Sequence, residues 1–250
     1  MKLTKLLLSS ALLSSTLFAG GDIVPVEPVI DEAPVINEWN YSGALYFWAA
    51  GMSGKTADDG DFDIPFSDIL ENLDMAFMGT LSAQKERWGM HADIIYFDVG
   101  STLDDSRLID DFSLKSWVIS PTVSYELVND EQFNLHALAG ARYFYMKPIL
   151  KLENGSSRET SGNVWDGIVG LKGTYDFNEK WFMPFQADIG AGDTDVTWQA
   201  FAGIGYKYEN FDLIVGYRHL EWNFDDNAPG GKVFNDFNID GPMFGAKFRF

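Results

Sequence analysis

Residues 241–250, GPMFGAKFRF, end the chain on Phe250 and change character at every second position. Bulky apolar residues share one parity, and the two cations, Lys247 and Arg249, share the other. Successive side chains of an extended strand point to opposite faces, so the segment predicts a strand with one apolar and one charged face. A soluble domain can contain such a strand, and the rest of the chain has to decide what surrounds it.

The N-terminal segment MKLTKLLLSSALLSSTLFAG has the layout of a secretory signal peptide. Its apolar run is too short for a transmembrane helix, so residues 1–19 are predicted to be cleaved near Ala19. Losing Lys2 and Lys5 changes the formal net charge from −19 to −21. The mature protein is therefore predicted to be exported, acidic and without affinity for nucleic acid. The absence of cysteine excludes a lipoprotein anchor and disulfides.

Residues 20–38 are rich in proline and acids and predict an extended periplasmic tether, followed by a barrel domain at 39–250. Ten candidate strands average roughly a dozen residues, near the ~9–11 that a tilted strand needs to cross a bilayer. Short turns alternate with longer, acidic or glycine-rich loops, which is typical of outer-membrane barrels with periplasmic turns and extracellular loops. The predicted fold class is all-β: a transmembrane, antiparallel, up-and-down β-barrel of about ten strands, with eight or twelve as alternatives. The strands are predicted at 39–51, 73–84, 88–99, 112–128, 133–147, 163–177, 181–190, 196–208, 211–224 and 237–250.

Aromatic residues favour the barrel over a soluble β-sandwich, which would give a similar alternation along its strands. Thirteen of them lie beside the short turns, where amphipathic rings would occupy the headgroup boundary of a membrane. They are Trp39, Tyr41, Trp88, Tyr125, Phe133, Tyr175, Phe177, Trp181, Tyr206, Tyr208, Phe211, Phe248 and Phe250.

These features resemble small Gram-negative outer-membrane β-barrels. The segments ADIGAGDTDVTWQAFAGIGYKY (187–208), VGYRHLEW (215–222) and GPMFGAKFRF resemble a porin-like group of unassigned biochemical role. The resemblance implies a location in the cell outer membrane, lipid and lipopolysaccharide as partners, and recognition of the terminal Phe250 by the barrel-assembly machinery. It specifies architecture and no reaction.

The charged parity of the strands predicts a polar lumen. Two interpretations remain open: a network of ion pairs that fills and braces the lumen, or a narrow pathway for ions or small solutes. The predicted lumen charges are Asp74, His91, Asp93, Glu126, His136, Arg142, Asp166, Lys172, Asp176, Asp188, Lys207, Asp212, Arg218, Lys247 and Arg249.

The loop at 52–72 contains four acids around Gly60, namely Asp58, Asp59, Asp61 and Asp63. Carboxylates so placed are possible ligands for divalent cations, although the spacing fails the EF-hand pattern and a solvated acidic loop is the alternative. The following residues, IPFSDILENL, have helical spacing, with Ser67 as the expected N-cap. These motifs predict no cofactor, and beyond the acidic loop they predict no metal site.

Three functions follow, in order of preference: porin-like passive passage of ions or small solutes, a structural or surface-interaction barrel with divalent-ion-binding or lipopolysaccharide-contacting loops, and an outer-membrane hydrolase. The protein is predicted not to be an enzyme. Its motifs include no serine–histidine–aspartate elbow and no histidine cluster of the metal-binding type, and His219 has outward parity on its strand.

Overall fold

The computed structural model describes residues 38–56, 60–102, 109–152, 157–159, 161–224 and 234–250. The predicted signal peptide, the predicted tether up to residue 37, and both Asp58 and Asp59 lie outside them. The described elements are β1 (Asn40–Trp48), β2 (Gly51–Thr56), β3 (Asp61–Ile64), α1 (Phe66–Glu71), β4 (Leu73–Lys85), β5 (Trp88–Thr102), β6 (Ile109–Asn129), β7 (Phe133–Leu152), β8 (Ser157–Glu159), β9 (Gly162–Asp176), β10 (Trp181–Gly192), β11 (Val196–Lys207), β12 (Phe211–Asn223) and β13 (Phe234–Arg249).

Ten of the described strands form a closed antiparallel barrel in the order β1-β4-β5-β6-β7-β9-β10-β11-β12-β13, and β13 pairs back with β1. Closure pairs both edges of every barrel strand, as a lipid-exposed sheet requires because lipid offers no hydrogen bonds. The predicted up-and-down barrel of ten strands is confirmed. The short strands β2, β3 and β8 are additions to the barrel.

Two barrel strands are much longer than predicted. β6 has 21 residues and β7 has 20, because residues predicted as loops continue the ladder, with Asp111 opposite Lys151 and Ile109 opposite Leu152. Both segments belong to longer stretches that were predicted as acidic or glycine-rich loops. Pairing with a neighbouring strand overrides such weak local preferences.

The barrel wall changes partners at the long-loop end of β1. Pairing with β4 ends at Leu45 opposite Gly79, and β2 continues on β13 and pairs with β3 instead. Helix α1 connects β3 to β4 and buries Ile69 in the apolar core. The predicted helix is therefore present, but the expected Ser67 cap is wrong: α1 begins after Pro65 without a side-chain cap.

The outer surface of the barrel is apolar between two aromatic girdles. At the short-turn end, Trp181, Tyr206, Tyr208, Phe211 and Phe248 form a chain of ring contacts. At the other end, ring pairs join Tyr96 to Trp117 and Tyr143 to Trp165, with centroids 4.5 and 4.7 Å apart.

The separation of the girdles fits a membrane. Trp165 and Tyr175 lie ten residues apart on β9, roughly 33 Å of strand at about 3.3 Å per residue and roughly 23 Å in height at a tilt of about 45°. Outer-membrane barrels have an apolar band about 25 Å tall. Among the described residues, no helix has the length and hydropathy to cross a membrane.

Candidate functional site: the barrel lumen

The lumen contains almost all of the charges predicted for it. All of those residues except Asp74 lie on the inward face of their strands. Asp74 is exposed, and the prediction there is wrong because the register shifts between Leu73 and Met75. The shift turns Leu73 towards the apolar core instead.

An aromatic layer, made of Phe144, Trp222 and Phe237, crosses the long-loop half of the lumen. The rings of Phe144 and Trp222 stack at 4.4 Å, and those of Phe144 and Phe237 at 5.5 Å. Phe144 belongs to β7, whereas the other two belong to β12 and β13. These strands are not neighbours of β7 in the barrel, so the rings meet across the lumen.

Other apolar side chains surround the aromatic layer. Trp222 and Leu220 have no exposed surface, and side chains from β1, β2, α1, β5, β6, β7, β9 and β13 complete the same core. Interiors packed in this way leave few voids that a water molecule can occupy. The long-loop half of the described lumen is therefore apolar and closely packed, a layer that the charged parity of the strands did not predict.

A polar belt lies on the short-turn side of the aromatic layer and consists of Asp93, Arg142, Asp188, Gln199 and Arg218. Arg142 Nη2 donates to Asp188 Oδ1 at 2.5 Å, and Gln199 Nε2 donates to Asp188 Oδ2 at 2.5 Å. Arg218 Nη2 donates to Gln199 Oε1 at 2.7 Å and to Asp93 Oδ2 at 2.8 Å. The belt therefore links β7, β10, β11, β12 and β5 through side chains alone.

Because the polar belt is buried, each of its charged side chains depends on its hydrogen-bond and ion-pair partners within the belt. The side chains of Arg142 and Asp188 have no exposed surface, and an unpaired ion in such a place costs several kcal/mol. Tyr46 donates to Asp93 at 2.7 Å and accepts from Arg218 at 3.1 Å. The Arg218 guanidinium also lies 5.0 Å from the Trp48 ring, which joins the belt to the apolar core by a cation–π contact.

A cavity of about 230 Å³ occupies the lumen between the polar belt and the short-turn end. Its charged or titratable lining residues are Tyr46, His91, Asp93, Lys172, Arg218 and Lys247. His91 is held by three contacts: Nδ1 lies 2.9 Å from Ser82 Oγ, and Nε2 lies 2.8 Å from both Ser124 Oγ and Lys172 Nζ.

Ion pairs line the mouth of the barrel at the short-turn end. Lys207 Nζ lies 2.8 Å from Asp176 Oδ1, and Arg249 Nη1 lies 2.6 Å from Asp212 Oδ2. Glu126 accepts from Asn134 at 3.2 Å and faces His136 in the register of β6 and β7. At the opposite, long-loop end of the lumen, Asp166 is buried on β9, where it accepts from the backbone N–H and hydroxyl of Thr194.

Several lumen residues were not predicted, because only charged residues and histidines were taken as lumen candidates. Tyr46 and Gln199 complete the polar belt, and Trp222 and Phe237 form the aromatic layer. Parity alone would have placed Trp222, which lies four residues after Arg218 on the same face of β12. What parity does not reveal is which of these side chains meet.

Two other candidate sites have a different setting from the lumen. His219 faces outward, its ring lies 4.5 Å from that of Trp198 in a tilted arrangement, and its Nε2 lies 3.1 Å from a Glu221 oxygen. Asp61 and Asp63 are exposed on β3, on either side of Phe62, which packs against Phe237. Within the described part of the chain, no three histidines or acids are grouped as a metal site would require.

Comparison with known proteins finds similar folds among solved structures. No family model matches the chain, and no curated protein does. Neisserial surface protein A is 14% identical, with 84% of this chain and 97% of that chain covered at a TM-score of 0.37. Ail, the attachment invasion locus protein of Yersinia pestis, is 15% identical, with 86% and 100% covered at 0.37. The translocator domain of the autotransporter NalP from Neisseria meningitidis is 13% identical, with 85% and 88% covered at 0.40.

No functional inference follows from likenesses at these identities and TM-scores. The architecture follows from the chain itself: ten strands closed on one another, an apolar outer face, and aromatic residues at both of its edges. This chain folds as a small, closed, ten-stranded antiparallel β-barrel whose outer surface has the apolar band and aromatic girdles of a membrane barrel.

Proposed function

We propose that the barrel is closed to passive diffusion in the conformation described, and that it acts as a structural or surface-interaction protein of the outer membrane. The aromatic layer carries this proposal. Phe144 reaches Trp222 from a strand on another side of the barrel, with ring centroids 4.4 Å apart. Apolar constrictions block ions because water and ions leave them.

The shape of the wall supports a role at the cell surface. β7 continues nine residues past Tyr143 of the upper girdle to Leu152, which is roughly 20 Å of height at about 3.3 Å per residue and a tilt of about 45°. β10, in contrast, ends at Gly192. With the short turns in the periplasm, β5, β6 and β7 project from the outer leaflet as a one-sided wall.

Charged residues near this wall are compatible with lipopolysaccharide or divalent cations as partners. Lys115 Nζ lies 2.9 Å from Asp98 Oδ2 on neighbouring strands, and Asp61 and Asp63 are exposed on β3. Phosphate groups of lipopolysaccharide would meet Lys115, and cations would link the same groups to the acids. This assignment stays a proposal, and Asp58 and Asp59 lie outside the described residues.

Planar-bilayer recording on refolded protein tests the closed lumen. The wild-type protein is expected to give no discrete conductance steps. Phe144→Ala should give brief steps, because it removes the ring that contacts both Trp222 and Phe237. Phe77→Ala is the matched control: Phe77 is half exposed on the lipid-facing parity of β4, so this variant should remain silent. Stable discrete conductance from the wild-type protein would contradict the proposal.

Passive passage is the second candidate, and the cationic cavity favours it. If the aromatic layer moves aside, a solute would meet Arg218, Lys172 and Lys247 next. A pore of that kind would conduct anions in preference to cations. The reversal potential of Phe144→Ala in a salt gradient measures this selectivity, and a cation-selective value would count against the second candidate.

Assembly of the barrel depends on Phe250 under the proposed partnership with the barrel-assembly machinery. The Phe250 side chain is 82% exposed, so Phe250→Ala should leave refolding in vitro nearly unchanged. In cells, the same variant should lower the heat-modifiable, folded protein in the outer-membrane fraction several-fold. Phe244→Ala is the control, since Phe244 is half exposed on β13 and has the same parity as Phe250, which follows the last residue of that strand. Equal losses in both variants would argue against recognition of Phe250.

A further inference from the structure

The cavity at the short-turn side of the polar belt has an unusual charge for this chain. Three cations line it, namely Lys172, Arg218 and Lys247, against one carboxylate, Asp93. The chain as a whole has a formal charge of −19. Composition therefore does not account for the excess of positive charge in the lining of this cavity.

The single carboxylate is already occupied. Asp93 Oδ2 accepts from Arg218 at 2.8 Å, and Asp93 Oδ1 accepts from Tyr46 at 2.7 Å and from Thr80 at 3.1 Å. Among the described residues, no salt bridge joins Lys172 or Lys247 to a carboxylate. Lys172 donates instead to the Nε2 atom of His91.

A buried hydroxyl points to the same place. Ser120 lines the cavity and is 5% exposed, and its Oγ has no hydrogen-bond partner. Buried polar atoms are nearly always hydrogen-bonded to protein, water or ligand. An unpartnered donor in a cavity that is also lined by two lysine ammonium groups without a salt bridge marks a place for an acceptor with negative charge.

We propose that this cavity binds a small oxyanion of the phosphate class, with Lys172, Lys247 and Ser120 as its donors. Lysine binds phosphate as a point charge, and an anion between the lysines would offset the cost of two partly buried like charges. The volume of about 230 Å³ equals the liquid volume of roughly eight water molecules of about 30 Å³ each, enough for phosphate with several waters.

The position of the cavity gives the direction of entry. Ser42 and Lys247 line it and lie two residues from the short-turn ends of β1 and β13. The aromatic layer closes the opposite side. With the short turns in the periplasm, the anion enters from the periplasm, and its binding does not depend on the conductance or surface role proposed above.

Isothermal titration of refolded protein with inorganic phosphate tests the site, in a maltoside detergent without phosphate and at constant chloride. The wild-type protein should show one saturable site. Lys172→Met and Lys247→Met should each weaken it by roughly tenfold to a hundredfold, the usual range for a hydrogen bond to a charged group. Ser120→Ala should weaken it by roughly tenfold or less. Lys180→Met, at an exposed lysine in a short turn, is the control and should bind like wild type.

Each outcome of the phosphate titration either supports or overturns the proposed anion site. Heat-modifiable migration on gels establishes that the lysine variants are folded, which we expect because neither lysine takes part in a salt bridge among the described residues. No saturable binding by wild type, or equal binding by wild type and both lysine variants, overturns the proposal. Glycerophosphoethanolamine, the soluble headgroup of a phospholipid, distinguishes the source: tighter binding of the headgroup than of phosphate assigns the site to lipid, and the reverse assigns it to the free anion.

Discussion

Arg142→Met is expected to lower the free energy of unfolding by about 3–5 kcal/mol, the cost of leaving one member of a buried ion pair unpaired. Arg142 and Asp188 have no exposed side-chain surface, and Arg142 also donates to Thr197 at 2.9 Å. After the substitution Asp188 keeps only amide donors, from Gln186 and Gln199. Reversible urea unfolding in lipid vesicles, followed by tryptophan fluorescence, measures the change.

Two further variants separate burial from the ion pair itself. Lys115→Met removes a cation whose side chain is 46% exposed beside Asp98, and such surface pairs contribute little, so no resolvable change is expected. Arg142→Met combined with Asp188→Leu should recover much of the loss, because no buried charge then remains unpaired. A loss below about 1 kcal/mol for Arg142→Met alone would mean that water reaches the belt, since exposed pairs have that magnitude.

Val169→Arg is expected to lower the free energy of unfolding in lipid by about 2–4 kcal/mol, the cost of arginine on a barrel surface at the bilayer midplane. Val169 is 59% exposed on β9, between Trp165 of the upper girdle and Tyr175 of the lower one. Its side chain therefore meets hydrocarbon if the apolar face is embedded. The same urea titration, in vesicles, measures the effect.

Depth provides the control for this prediction. Tyr175→Arg lies on the same strand and parity, at the lower girdle, where arginine costs only about 0–1 kcal/mol. The two variants should differ although both residues are exposed in the barrel. Equal costs at the two positions would contradict the placement of the membrane between the girdles.

The ten strands and their inward faces could be predicted because the signal is local. On β12, Asp212 and Arg218 were placed in the lumen and His219 outside it from parity alone, and the register with β13 agrees. A period of two needs no knowledge of the neighbouring strand. It fails at a register shift, as Asp74 demonstrates beside the irregularity at Leu73 and Met75.

The contents of the lumen could not be predicted in the same way. Phe144 and Trp222 lie on strands that are not neighbours in the barrel, and Asp93 and Arg218 lie 125 residues apart along the chain but 2.8 Å from each other. Their meeting depends on strand register, tilt and closure together. The same holds for the change of partner at β1, where β2 pairs with β3 and α1 enters the apolar core.

The amino-acid sequence by itself determined a barrel of ten strands, with an apolar parity for lipid, a charged parity for the lumen and an aromatic girdle at the short turns. Only the tertiary structure decided that the lumen is layered into an aromatic closure, a polar belt and a cationic cavity. The reason is physical: alternation is encoded within each strand, whereas side chains from strands far apart in sequence meet only once the closed barrel has set their heights and facing.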